Sequence, residues 1–341
     1  HLYAKGVSIM ERCEELLPRY LRFIKGIVDS ADLPLNISRQ MLQQDRQVGV
    51  IRKWLTKKVL DSLQAMSEEE PDKFQLVWEQ FGRAIKEGVS SDYDNKARIV
   101  SLLRFQSSHD ETKLTTLKEY VERMKEGQEE IFYLTGESRR IVENSPHLEA
   151  LKAKGYEVLY LVDSVDELVT QYLTEFEGKK LKSAGKGTVK VGDEEESAQT
   201  EKELKQKAEE SSELLGFIQR HLEQYVKEVR PTNRLTTSPV CLVGTDMDYS
   251  PQMERLLQMG EGTRPKQRRI MELNPQHEIF NRMRARFQQN KDEAELGKYA
   301  ELLLGYALLA EGSNLPDPVK FNQLVAELML QTLSNDTQSS G

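Results

Sequence analysis

The amino-acid sequence predicts an α+β protein of mainly helical character, and three observations carry that prediction. Apolar residues recur at helical spacing over most of the chain, two nearly continuous apolar runs near its middle have the length of buried strands, and the last hundred residues return to helix. At 341 residues there is room for two or three domains with sizeable cores. Hydrophobic residues at 38% and charged residues at 30% describe wet surfaces around those cores.

Taken in order, Leu2 to Ile9 reads as a weak strand, the last of a sheet whose other members are missing. Leu16, Leu17, Tyr20, Leu21 and Ile24 follow at helical spacing. Pro34 keeps the backbone extended, and Ser38 is a good N-cap for a helix beginning at about Arg39. Arg39 then sits in a first turn whose dipole disfavours a cation, with Gln43 one turn later on the same face. Spacing leaves two readings open: an arginine pointing into water, or a surface that receives a phosphate.

Ile51, Leu55, Val59, Leu63 and Met66 form one stripe, and Phe74, Val77, Trp78, Phe81 and Ile85 another that Gly88 is placed to stop. Both read as core, with Trp78 singled out for partial exposure. Thr116 and Glu119 form a capping box ahead of a helix that Gly127 closes. Ile131 to Thr135 and Tyr156 to Val162 are the two strand candidates, with a helix through Ile141, Leu148 and Leu151 between them. That order calls for a parallel, right-handed crossover.

From Ser183 to about Glu210 the chain turns polar, a linker running into an exposed helix, and Leu204 to Tyr225 make a long amphipathic helix. Pro239 to Val243 is a strand of a further mixed domain. Ser250 caps a short helix with Pro251 in its first turn and Met253, Leu256 and Leu257 on its apolar face. Methionine recurs on surfaces that accept varied partners, although ordinary packing is the simpler reading. Arg264, Lys266, Arg268 and Arg269 read as a solvated basic loop. Leu302 to Ala310 is apolar almost all round, and Phe321 to Leu333 adds a second stripe; self-association would bury both, and so would an intramolecular core.

Several function classes are disfavoured. The net charge of −8 argues against a general nucleic-acid binder. No apolar run spans a bilayer and no signal peptide is visible, so a cytoplasmic protein is expected. Cys13 and Cys241, far apart, fit free thiols in a reducing compartment, and five scattered histidines make a metal site unexpected. No phosphate loop, dinucleotide fingerprint, nucleophile elbow or zinc-protease motif occurs. If Arg39 meets a phosphate, another domain or chain must hold the nucleotide.

Longer landmarks resemble a known family. The run Glu15 to Gln44, together with Phe132-Tyr-Leu-Thr135, Asn144-Ser-Pro-His147, Tyr172 to Gly178 and Glu272-Leu-Asn-Pro-Gln-His277, is similar to the heat-shock protein 90 chaperones, nearest to their bacterial branch. The resemblance implies a fragment that begins at the end of the large middle segment, with the ATP-binding N-terminal domain absent; the chain also starts at His1 rather than methionine. It implies the end of that segment and a helical connector over 1–112, a small α/β subdomain over 113–183, a polar linker over 184–200, a C-terminal dimerisation domain over 201–334 and a disordered tail over 335–341.

By the same resemblance, Arg39 and Gln43 act on the γ-phosphate of ATP held by the absent domain. Trp78, Tyr249, Met253, Leu256 and Leu257 match client-contact positions. Leu302, Leu303, Tyr306, Leu309, Phe321, Leu324, Val325 and Leu328 match a four-helix homodimer interface. The implied function is a chaperone that binds partly folded clients, with co-chaperones possible, ATP and Mg in the full-length protein and no cofactor or enzymatic activity in the fragment. The ending Asn335 to Gly341 lacks the acidic tail of the eukaryotic cytosolic forms. Two rivals stand beside this reading: an enzyme with its own active site, and a dimeric scaffold that never cycles with nucleotide.

Overall fold

A computed structural model describes residues 1–34, 45–192, 194–261, 267–290 and 293–338. The chain divides into two compact units, one made of His1–Phe105, Lys113–Glu122 and Val165–Phe176, the other of Gln106–Thr112, Arg123–Ser164 and Glu177–Gly341.

The first unit opens with a hairpin of β1 (Leu2–Ala4) and β2 (Val7–Met10), and β3 (Val28–Ser30) lies parallel to β1. The single strand expected over Leu2 to Ile9 is thus two, because Lys5 and Gly6, at φ 52° and 76°, make the left-handed pair of a tight hairpin turn. The stripe from Leu16 to Ile24 is also not one helix. It forms 3-10 turns at Glu14–Leu16 and Arg19–Leu21, since Pro18 holds Leu17 extended (φ −137°, ψ 148°).

Asp45 starts α1 (Arg46–Glu69) by accepting from the N–H groups of Gln47 and Val48 at 2.7 and 3.1 Å. α2 (Pro71–Ser91) follows with Pro71 in its first turn. Gly88 does not stop it. A Cβ there would lie 2.9 Å from Ile99 and 3.0 Å from Tyr20, so this glycine serves close packing. Ile99 belongs to α3 (Lys96–Leu102).

The predicted capping box opens α4 (Leu117–Glu122): Thr116 N–H donates to Glu119 at 2.7 Å, and Glu119 N–H donates to Thr116 Oγ1 at 3.0 Å. That helix ends before Gly127. α7 (Asp166–Tyr172) and β7 (Glu175–Phe176) complete the unit, and α7 is fastened to α2 by a buried Lys86–Asp166 pair at 2.7 Å.

In the second unit β5 (Glu130–Thr135) and β6 (Val158–Leu161) are parallel, as the two apolar runs require. β8 (Lys179–Ser183) joins β5 in parallel and β4 (Gln106–Ser107) joins β6 antiparallel. The crossover is broken into α5 (Arg139–Glu143), a 3-10 turn at Pro146–Leu148 and α6 (Glu149–Ala153), because Pro146 cannot continue a helix and Ser138 and Ser145 each cap a fresh start.

Where one long helix was expected there are α8 (Glu194–Glu210) and α9 (Ser212–His221), and Tyr225 already precedes β9 (Val226–Pro231). The break at Ser211 lets α9 bury Leu214, Leu215 and Ile218, which the polar α8 cannot follow. β10 (Val240–Val243) runs antiparallel to β11 (Arg269–Leu273), itself parallel to β9. Among the described residues four helices remain: α10 (Pro251–Glu261), α11 (Glu278–Asn290), α12 (Glu293–Ala310) and α13 (Pro318–Gln338). Ile218, Leu222, Val240, Met271, Phe280, Leu296 and Ala300 form a core to which α11 and α12 contribute.

The start of the expected polar linker is a joint. Gly187 N–H donates to Gly244 O at 2.8 Å, and Gly244 N–H donates to Gly185 O at 3.1 Å. Arg234, buried, donates to the carbonyls of Ala184 and Gly187 and pairs with Glu272 at 3.0 Å. A glycine-rich sequence reads as loose until something accepts and donates to its backbone.

Candidate functional site

α10 presents the clearest candidate surface. Ser250 Oγ accepts from the N–H of Met253 at 3.0 Å, the cap that sequence predicts. At this length the helix depends on docking, and its polar residues take part in it. Gln252 is buried, Glu254 meets Arg269 at 2.9 Å, and Arg255 meets Glu137 at 3.0 Å and donates to Gly312 O at 2.9 Å. Part of the apolar face is left outward. Tyr249 is 40% exposed and Leu256 39%, Met253 and Leu257 are half-buried, and Met247 beside them is 92% exposed.

The same ion pairs correct the reading of the basic loop. Arg269 belongs to β11 and is buried between Glu254 and Glu311, while Arg268 is exposed and donates to Glu223 O at 3.0 Å. Arg264 and Lys266 lie outside the described residues. No alternation marks Arg269 as internal, because every residue of β11 is buried; only its two carboxylate partners explain the charge.

Below α10 a cavity of about 40 Å³ is bordered by Gln252, Arg255, Arg269, Glu311 and His147. Burial holds the Glu311 carboxyl above the ordinary carboxylate range in spite of Arg269. His147 is lowered to about 3 by burial first and then by the Arg234 guanidinium, so its ring is neutral.

The second surface lies on α12 and α13. Leu303 and Leu324, expected at an interface between chains, are each only 7% exposed within the single chain. Tyr306 and Leu309 point outward, at 44% and 54%, and Leu302, Phe321, Val325 and Leu328 are half-buried. Val319, Met329, Leu330 and Leu333, each more than 60% exposed, extend the same apolar character along α13. Gly305 sets how closely the helices approach, for a Cβ there would lie 2.3 Å from the Phe321 ring.

Trp78 is not partly exposed. It is 7% exposed, its ring lies against Gly82, and Lys86 Nζ stands 5.9 Å from the ring centroid. The exposed tryptophan is Trp54 on α1, at 58%, with Lys58 Nζ 5.8 Å from its ring. A helical stripe cannot tell the two apart. The outcome depends on which neighbours arrive.

Arg39 and Gln43 lie outside the described residues. Among the described residues no group of three or more His, Cys, Asp or Glu side chains is placed to hold a metal, and no helix is long and apolar enough to cross a membrane. Cys13 and Cys241 are free thiols.

Comparison with known proteins covers the whole chain. A family model described as Hsp90 protein matches residues 1–341. The chaperone protein HtpG of Frankia casuarinae is 48% identical over 332 residues, which are 97% of this chain and 51% of that protein. HtpG of Nocardia farcinica is 48% identical over 339 residues (97% and 52%), and HtpG of Mycobacterium avium 48% over 332 (97% and 51%). The chain therefore spans about half the length of the curated relatives it matches. With the landmark runs, the α+β architecture and the full-length match in agreement, this chain belongs to the Hsp90 family of chaperones.

Proposed function

We propose that this chain is the client-holding and dimerising part of an ATP-cycling chaperone, and not an ATPase by itself. Partly folded proteins dock on Tyr249, Met253, Leu256 and Leu257. The observation that carries this reading is helix α10, whose Glu254 and Arg255 are held in ion pairs while Leu256 and the adjacent Tyr249 and Met247 are exposed. Trp78 enters the proposal through family likeness as a second client position; because its ring is buried, α10 is the better place to test binding.

A homodimer would form through α12 and α13, covering Tyr306, Leu309, Val325 and Leu328 together with the exposed residues farther along α13. Nucleotide belongs to a separate N-terminal domain, and Arg39 with Gln43 beside it would stabilise charge on the transferring phosphoryl group. Cytoplasmic location and co-chaperone contacts follow the family in the same way.

The test is binding of reduced, carboxymethylated lactalbumin, an unfolded model client. Met253→Asp should weaken binding about tenfold while light scattering still gives twice the chain mass; one buried methionine side chain is worth about 1.5–3 kcal/mol. Unchanged binding would remove the client site. A monomer at micromolar concentration would remove the dimer.

A further inference from the structure

The seat of α10 contains charged groups that carry a connection to the far end of α12. Arg255 spans it. Its Nε meets Glu137 at 3.0 Å, and its Nη1 donates at 2.9 Å to the carbonyl of Gly312, immediately beyond α12. Gly312 has φ 76°, the left-handed turn that ends a helix and leaves its carbonyl available. The neighbouring residue of α10 makes a parallel link. Glu254 pairs with Arg269 at 2.9 Å, and Arg269 Nε stands 3.7 Å from Glu311, the residue before Gly312.

Two charged tethers from consecutive residues of α10 therefore converge on Glu311 and Gly312, the exit of α12 toward α13. The space between them is not close-packed. Gln252 Oε1, Glu311 Oε2 and His147 Nδ1 are buried without a hydrogen-bond partner, and all three residues border the 40 Å³ cavity. A close-packed apolar seat would hold α10 in one position. A seat of mixed lining, in which Leu134, Ile141, Val142 and Leu242 stand beside the charged groups, with free volume in it, lets the helix move slightly while its tethers persist, so displacement on one side is passed to the other.

We infer that Arg255 is a positioning residue that couples occupancy of the outer face of α10 to the turn between α12 and α13. The inference rests on the client reading of α10. An occupant settling on Met253 and Leu256 presses α10 into its seat. The Arg255 guanidinium, anchored on one side by Glu137, then orders the Gly312 carbonyl and the first residues that lead into α13.

Amide hydrogen exchange on the full chain, with and without saturating reduced, carboxymethylated lactalbumin, tests this. In the unaltered chain the client should slow exchange about fivefold or more both in α10 and over residues 309–316, the lower end of ordinary coupling between sites. In Arg255→Ala the slowing should remain in α10 and vanish over 309–316. Arg255→Lys, which keeps the charge and one donor to Gly312, should restore it in part, a rescue that a purely structural role would not show. Equal slowing over 309–316 in Arg255→Ala would overturn the inference, as would slowing confined to α10 in the unaltered chain. No slowing in α10 at all would overturn the client reading first and the inference with it. Should Arg255→Ala fail to fold, Arg255→Gln gives the same comparison at nearly the same side-chain length.

Discussion

Glu272 offers the most demanding test of how this chain is held together. Its Oε1 accepts from Arg230 Nη2 at 2.7 Å and Nε at 3.1 Å, and its Oε2 accepts from Thr232 Oγ1 at 2.9 Å and Arg234 Nε at 3.0 Å. The residue is 3% exposed and Arg234 5%, so the pair has almost no water to fall back on. Glu272→Ala leaves the Arg234 guanidinium buried with two carbonyls and no counter-charge. Breaking a buried pair from one side costs about 3–5 kcal/mol, or roughly a 100- to 5,000-fold rise in the open population.

The readout is hydrogen exchange in β9 and β11 and at residues 184–187, which Arg234 also holds. Protection should collapse together in all three. A change below about fivefold would refute the claim that this network fastens the joint, since even an ordinary buried hydrogen bond is worth about 1 kcal/mol.

The same residue sets a pH dependence. Burial pushes the Glu272 carboxyl up, but Arg234 and Arg230 outweigh it and hold the group below the ordinary carboxylate range. Its contribution is therefore present above the unfolded carboxyl value of about 4.3 and lost as pH falls through the folded one. Glu272→Gln should abolish that acid-dependent loss in β11 while retaining hydrogen-bonding atoms. An unchanged acid profile would count against the assigned pairing.

Three further outcomes follow from particular contacts. Gly305→Ala places a methyl 2.3 Å from the Phe321 ring, so the first turns of α13 must shift; about 1–3 kcal/mol of overpacking should appear as a lower melting temperature by calorimetry, and an unaltered value would show the ring simply turning aside. Trp78→Ala should destabilise the first unit by about 3–5 kcal/mol and Trp54→Ala by less than about 0.5, measured by urea unfolding; equal effects would contradict their opposite burial. His147, neutral in its buried site and titrating near 3 there against 6.5 when free, binds its proton only in the unfolded chain between those values. Stability should thus fall as pH drops below 6.5 by up to about 1.4 kcal/mol per pH unit, and His147→Gln should flatten that slope; matching slopes in both proteins would exclude the histidine as its source.

Much of the fold was legible because local chemistry and tertiary demand agree. The apolar runs around Phe132 and Leu159 predicted parallel strands, and parallel strands formed, since a strand buried on both faces has few other partners. Thr116 with Glu119 and Ser250 with Pro251 opened helices as their hydrogen-bonding groups require. Prediction failed where one residue interrupted a good pattern. Pro18 and Pro146 each broke an apolar helical stripe, and the Lys5–Gly6 turn split a strand.

The candidate site was legible only in part. Met253, Leu256 and Leu257 were visible as one helical face, but nothing in their spacing says whether that face looks in or out. The answer lies in residues far along the chain: Glu137, Arg269 and the Gly312 carbonyl claim the charged side of α10, which leaves Leu256 exposed and Met253 and Leu257 half-buried.

The sequence by itself determined the family, the α+β class, the helix starts after Thr116 and Ser250, and the apolar character of α10, α12 and α13, because these depend on residue type and near neighbours. Only the tertiary structure decided that Trp78 is core and Trp54 surface, that Arg269 is a buried anchor, and that a glycine-rich linker is a pinned joint. Burial, and the pairing of charges across long sequence separations, exist only once distant segments have been brought together.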